Sequence, residues 1–176
     1  MSLNPVPIRA SKIAISDYAE KVAIALAFKP GDPVEPLVAR LGGKINYKNA
    51  RVGDDKPESI VVSSQNDFII FLPTMTSSAR DRFTVAHELG HLFLHYPRVA
   101  SESPGQQMVA TRWVDDTDPE QQRAEWEANW FAAAFLMPKQ AFVTALAQHG
   151  GDIDEVAEIF AVSIQAARIR SQSLGR

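Results

Sequence analysis

The sequence predicts an α+β fold, and three observations carry that expectation. Helix start signals followed by apolar runs recur along the chain, two short β-type runs flank a polar four-residue turn, and the last forty or so residues contain helix signals only. The expected architecture is a small, mostly antiparallel sheet packed on helices, followed by a helical, helix-turn-helix-like C-terminal segment. At 176 residues, 45% hydrophobic and 22% charged, the chain has enough apolar content for one main core with a small appendage. The expected division is residues 1–138 as the main domain and 139–176 as a helical extension packed on it.

Taken in order, Ser16 is placed to cap a helix over residues 17–28, which stops before Lys29-Pro30-Gly31. Asp32 as N-cap, Pro33 at the first helical position and Glu35 completing a capping box open a second helix, ended by Gly42 as its C′ residue. A strand is expected over 44–47, a polar, turn-rich stretch over 49–58, and a hairpin with strands 59–63 and 68–72 around Ser64-Gln65-Asn66-Asp67, closed by Pro73. Ser77 or Ser78 then caps a helix over 79–95 whose apolar residues run almost all the way round, the pattern of a buried helix. Residues 97–119 read as a long irregular segment with at most one strand near 109–113. Helices follow over 121–136, stopping before Pro138, over 139–148, from Asp152 with Glu155 in a capping box to Phe160, and from Ser163 to about 172.

Charge and composition exclude several function classes. The net charge of −3 supplies no electrostatic pull toward nucleic acid or an anionic membrane. No apolar stretch is long enough to span a bilayer, and the short run VAIALAF (residues 22–28) follows Asp17, Glu20 and Lys21 rather than a cationic leader. The absence of cysteine leaves His and carboxylate as the available zinc ligands and fits a reducing cytoplasm.

The most informative stretch is His87-Glu88-Leu89-Gly90-His91, an HExxH motif. Residues four apart on a helix share a face, so both imidazoles can reach one metal ion, and Glu88 beside them can take a proton from a water on that ion. With four histidines in the chain, an accidental match arises in roughly one such sequence in two hundred. A buried helix also has to satisfy His87, Glu88 and His91, and a metal supplies the partner.

A catalytic zinc takes three protein ligands and keeps one place open. His95 lies about 12 Å along the axis from His87 at the helical rise of ~1.5 Å per residue, too far for one ion, and is expected to be satisfied by backbone at the helix end. The extended HExxHxxGxxH pattern fails, with Leu94 and Pro97 at the Gly and His positions, and His149 is expected at the surface. A carboxylate on the downstream helix remains. Glu125 shares a face with Asn129, Ala132, Ala133 and Leu136, so Glu125 can bind metal while Asn129 orients a ligand imidazole. Glu127 points about 200° away and is the weaker candidate, expected as a solvated helix glutamate.

Two linked segments, RFTVAHELGHLFLH (residues 82–95) and EWEANWFAAAFLMP (residues 125–138), resemble the ImmA/IrrE family of metallo-endopeptidases. The likeness spans roughly residues 16–138, with a weaker match over 152–174. It implies a zincin-like, gluzincin-type core in which a zinc helix is joined by a second helix donating Glu. It also implies cleavage of a helix-turn-helix transcriptional repressor as protein substrate. The sequence stops at Arg176, so the large C-terminal sensor domain of longer members is not expected. The reading is therefore a zinc metallo-endopeptidase with His87, His91 and Glu125 on Zn2+ and Glu88 as general base; Tyr47, Tyr96 and the 97–119 segment are the candidates for stabilising the oxyanion. The peptide groove is expected beside an edge strand of the 59–72 hairpin. The rival reading is a non-proteolytic, metal-stabilised regulatory or antitoxin-like binding module. Residues 152–174, with only Arg168 and Arg170 on the last helix, read as a structural or partner-docking helix pair rather than a DNA reader.

Overall fold

A two-residue strand, β1 (Ser2–Leu3), leads into helix α1 (Lys12–Ala25). The structure is a computed structural model and describes residues 2–48, 57–113, 115 and 117–176. The α1 cap is Ser11, not Ser16: Ser11 is extended and its hydroxyl oxygen accepts from Ala14 N at 3.2 Å. The earlier start places Ile15, Ala19 and Ala23 on one buried stripe, which a helix opening at Ser16 would leave incomplete. Helix α2 (Val34–Arg40) is capped by Pro33, without a side-chain bond, and the capping box centred on Asp32 does not form. Asp32 Oδ2 instead accepts from Lys29 N at 2.8 Å, closing the turn between the two helices. Gly42 follows α2 with φ +85°, and a Cβ there would sit 2.1 Å from the Asn66 carbonyl oxygen. The C′ position thus needs glycine for its backbone angle and for a close approach to the hairpin turn.

The sheet is completed by β2 (Gly43–Tyr47), β3 (Glu58–Ser64), β4 (Asp67–Leu72) and β5 (Gln107–Thr111), in the order β1-β5-β3-β4-β2. The inner pairings β3–β4 and β3–β5 are antiparallel, and the outer pairings β2–β4 and β1–β5 are parallel. Alternation along β4 buries Phe68, Ile70 and Leu72, and Ile60, Val62, Met108 and Ala110 join them on the core face. Both hairpin strands are interior to the sheet, so the expected peptide groove beside one of their edges is not available: β5 covers β3 and β2 covers β4. Most of the expected 49–58 turn region lies outside the described residues.

Helix α3 (Ser78–Gly90) opens on Ser77, whose hydroxyl oxygen accepts from Arg80 N at 3.3 Å. It does not end at His95. The ladder widens into a π turn over His91–His95, with Tyr96 N bonded to His91 O, and continues as α4 (Tyr96–Glu102). An uninterrupted α ladder would meet Pro97, which has no N–H to offer the carbonyl four residues back. The widened turn comes just before it and lets the helix run on where an irregular segment was expected.

Helix α5 (Pro119–Leu136) starts at an Asp118 cap with Pro119 in its first turn, and crosses α3 through the core. Helices α6 (Lys139–Gln148), α7 (Ile153–Phe160) and α8 (Ile164–Ser173) follow, with Asp152 and Ser163 as the expected caps. Phe142, Val156, Phe160 and Ala167 are buried in the same apolar cluster as the sheet and α5. Arg170, only 3% exposed, donates to the Met137 carbonyl at 2.9 Å and to Glu20 at 3.3 Å, so α8 is pinned to α1 and to the end of α5. Of the two arginines that gave α8 its basic character, only Arg168 reaches solvent. Among the described residues no single helix is long and apolar enough to cross a membrane.

Candidate metal centre

The site is built where α3 and α5 touch. A Cβ on Gly90 would lie 3.0 Å from Ala128 Cα and 3.1 Å from its carbonyl oxygen, so the glycine of the HELGH motif permits the close crossing of the two helices. That crossing brings Glu125, one turn before Asn129, over the two imidazoles. Glu125 Oε2 lies 3.1 Å from His87 Nε2, Glu125 Oε1 lies 3.2 Å from His91 Nε2, and the two Nε2 atoms are 3.1 Å apart. His87, His91 and Glu125 thus form a group that could hold a metal ion. Tetrahedral zinc with bonds of about 2.0–2.1 Å sets its ligand atoms about 3.3 Å apart, so this donor set fits a zinc ion.

The second nitrogen of each ring is also held. His87 Nδ1 meets Asn129 Oδ1 at 3.0 Å, as expected for an orienting amide, and His91 Nδ1 meets His95 Nδ1 at 2.9 Å. Glu88 is 3% exposed, and the Ser59 hydroxyl donates to its Oε2 at 3.2 Å. A cleft of about 290 Å³ opens onto His87, Glu88, Glu125 and Asn129, with Arg80 and Arg112 on its wall. Arg112 is set there by donating to the Phe71 carbonyl at 3.1 Å and to that of Lys48 at 3.3 Å.

Burial and charge tune these groups in different directions. Burial pushes the Glu88 carboxyl up to about 7, against the pull of the neighbouring His87 charge. Burial also works against charge on His87, but the Glu125 hydrogen bond and the Glu88 and Glu125 charges outweigh it and raise His87 to about 9. His91, deeper, is lowered by burial to about 4 despite Glu125. Glu125 is held far below the ordinary carboxylate range: burial opposes this, and its contacts with the His87 and His91 rings override it. In the absence of metal one proton therefore resides on the His87–Glu125 pair, in the place a cation would take.

Residues 39–172 match the family model described as the IrrE N-terminal-like domain, a peptidase family. The chain belongs to that family. No curated protein matches the sequence. Among solved structures, a Mycobacterium tuberculosis transcriptional regulator is similar, with a TM-score of 0.63 and 18% identity over 93% of this chain and 48% of that one. The chain spans about half the length of that regulator, and at this identity the likeness is one of fold.

Within this IrrE-like domain several side chains stand away from where the sequence put them. His95 is not satisfied by backbone; it is fully buried and faces Glu127 Oε2 at 3.1 Å. Glu127 is not solvated either. It is 0% exposed and accepts from Ile8 N and Arg9 N, each at 2.8 Å, and from Arg123 Nε at 2.9 Å. The overlooked signal was the stripe Ala124, Ala128, Phe131 and Phe135, all buried, into which Glu127 falls at helical spacing. Tyr47 is 56% exposed on the outer strand β2, and Tyr96 is committed to the Ser63 carbonyl at 3.0 Å, so neither tyrosine lines the cleft. His149 pairs with Glu155 near the surface. Ser59 and Arg112 were missed because strand pairing, not local spacing, delivers them to the site.

Proposed function

We propose that the protein is a zinc-dependent endopeptidase that hydrolyses a peptide bond in a regulatory protein, with His87, His91 and Glu125 as zinc ligands and Glu88 as general base and acid. The observation that carries this reading is the convergence of three side chains, His87, His91 and Glu125, with neighbouring N and O atoms 3.1–3.2 Å apart, and the buried Glu88 carboxyl beside them at the head of an open cleft. His87, His91 and Glu125 would hold a zinc ion, which would supply Lewis acidity for the scissile carbonyl and for water. Glu88, buried beside the ligand set and facing the cleft, takes the proton of the attacking water and passes it to the leaving amine. Ser59 fixes the Glu88 carboxyl, and Asn129 fixes the His87 ring with Nε2 turned inward. Arg80 and Arg112 are the cations on the cleft wall and replace the two tyrosines as candidates to meet the oxyanion.

The peptide is taken as an added strand. β5 pairs with β1 only at Gln107 and Met108, and the edge of residues 109–111 borders a shallow groove that Glu125 also lines. The substrate class is a helix-turn-helix repressor in the cytoplasm, as the resemblance of residues 82–95 and 125–138 to the ImmA/IrrE family suggests. Residues 1–138 carry the chemistry, and 139–176 buttress it through Arg170 and the α7–α8 core residues. The test is co-expression with a candidate repressor. Cleavage by the wild type should fall about 10²–10⁴-fold in Glu88→Gln. Undiminished cleavage by that variant contradicts the mechanism, and binding without cleavage by the wild type favours the regulatory-module reading instead.

A further inference from the structure

Behind the metal centre runs a buried chain of polar groups that the proposed reaction does not use. His91 Nδ1 lies 2.9 Å from His95 Nδ1, and His95 Nε2 lies 3.1 Å from Glu127 Oε2. All three side chains are fully buried. Glu127 is saturated: its Oε2 also accepts from Ile8 N, and its Oε1 accepts from Arg9 N and Arg123 Nε. Arg123 in turn donates to the Ala10 carbonyl. The N-terminal segment meets this carboxylate with Arg9 in the left-handed region, φ 58°, a conformation that a non-glycine residue holds only when its surroundings impose it.

The hydrogen-bond inventory determines how a neutral His95 must be arranged. A carboxylate that already receives three N–H donors is an acceptor only, so His95 must carry its proton on Nε2. Its Nδ1 is then a bare acceptor, and the proton between the two rings belongs to His91 Nδ1. That leaves His91 Nε2 without a proton, with its lone pair turned toward His87 and Glu125. The π turn belongs to the same device. It spans His91–His95, and the two rings meet within it at 5.0 Å between centroids, tilted by 51°.

We propose that His95 and Glu127 are positioning residues of the metal centre, setting the tautomer and orientation of the His91 imidazole and tying the N-terminal segment around Ile8 and Arg9 to that ligand. This rests on the metal-centre reading above. Neither residue touches the ion or the substrate; both act through His91, as acidic and carbonyl groups behind ligand imidazoles do elsewhere.

The experiment is zinc affinity by chelator competition on the full chain, for wild type, His95→Leu and His95→Gln. Leucine keeps bulk and removes both polar contacts; glutamine keeps a carbonyl for the His91 Nδ1–H and an amide N–H for Glu127. The expected loss for His95→Leu is about 10–100-fold, with most of it recovered in His95→Gln. Unchanged zinc affinity in a folded His95→Leu overturns this role and leaves the metal centre standing, whereas a wild type that takes up no zinc overturns the metal centre and this role together. A loss in His95→Leu that His95→Gln does not recover assigns His95 to packing and also overturns the role. Should His95→Leu fail to fold, nitrogen-15 spectra of the wild-type histidines decide: His95 protonated at Nε2 and His91 at Nδ1 are expected, and His95 protonated at Nδ1 contradicts the chain.

Discussion

Glu125 and Glu127 stand two residues apart on α5, each faces a histidine, and they live in opposite worlds. Glu125 looks into the cleft, 25% exposed, with His87 and His91 as its partners among the described residues. Glu127 looks into the core, 0% exposed, with two backbone N–H groups, Arg123 and His95 all donating to it. Both carboxyls are held below the ordinary range, and in both burial alone would have raised them; imidazole partners reverse it for Glu125, and His95, Arg123 and Ile8 reverse it for Glu127. The difference is one of exchangeability. A carboxylate that meets two ligand nitrogens at an open cleft can give its lone pairs to a cation, while one closed in by four donors cannot and acts on the centre only through His95 and His91.

The largest test of that contrast is to neutralise each in turn. Glu125→Gln should weaken zinc binding by more than the about 10–100-fold that an indirect partner carries, and should cost the zinc-free protein less stability than Glu127→Gln, because only its pairing with the His87 proton at the open cleft is lost. Glu127→Gln should chiefly lower stability, by about 3–5 kcal/mol, because it leaves the Arg123 charge without its buried partner, with zinc affinity falling no further than that indirect range. Exchange of the two phenotypes would reverse the assignment of ligand and scaffold.

The helix crossing that separates the two faces comes next. Gly90→Ala puts a methyl 3.0 Å from the α5 backbone, so the helices must part by a few tenths of an ångström. The expected cost is about 1–3 kcal/mol in thermal or chemical unfolding, accompanied by weaker zinc binding as Glu125 is drawn off the imidazoles. A variant of wild-type stability and affinity would show that the crossing is not what sets the site.

The smallest expected effect is on the cleft side and concerns protons. In the zinc-free protein His87 is raised to about 9, so it carries a proton through neutral pH that a metal must displace. Apparent zinc affinity should therefore climb about tenfold per pH unit up to about pH 9, with about one proton released per zinc, readable by calorimetry in buffers of different ionisation enthalpy. The sign for folding runs the other way: a raised histidine stabilises the zinc-free fold below its ordinary 6.5, and that stabilisation is lost as pH rises through 9. A proton count near zero at pH 7.5 would remove the His87–Glu125 proton.

Much of the cleft side was legible in the sequence, and much less of the core side. HELGH declares itself because four-residue spacing on a helix is enough to align two rings. Glu125 and Asn129 follow from the same geometry, one turn apart on a second helix. Periodicity gives the angle between Glu125 and Glu127 but not which face a neighbour will cover. The cover over Glu127 comes from Ile8 and Arg9, 119 and 118 residues away, which no local pattern could place. The π turn was hidden for a related reason: Pro97 reads as a stop, and nothing in the local pattern shows that the ladder widens over His91–His95 and the helix continues past it. Ser16 was the expected α1 cap, and Ser11 takes its place because the earlier start brings Ile15 into the buried stripe.

The most direct measurement is metal content by mass spectrometry of the purified full chain and of a His87→Ala/His91→Ala double variant, each loaded with zinc and dialysed. The account predicts about one equivalent of zinc in the wild type and none retained by the folded double variant. Zinc retained in full by the double variant would contradict it, because the site would then lie elsewhere than at His87, His91 and Glu125.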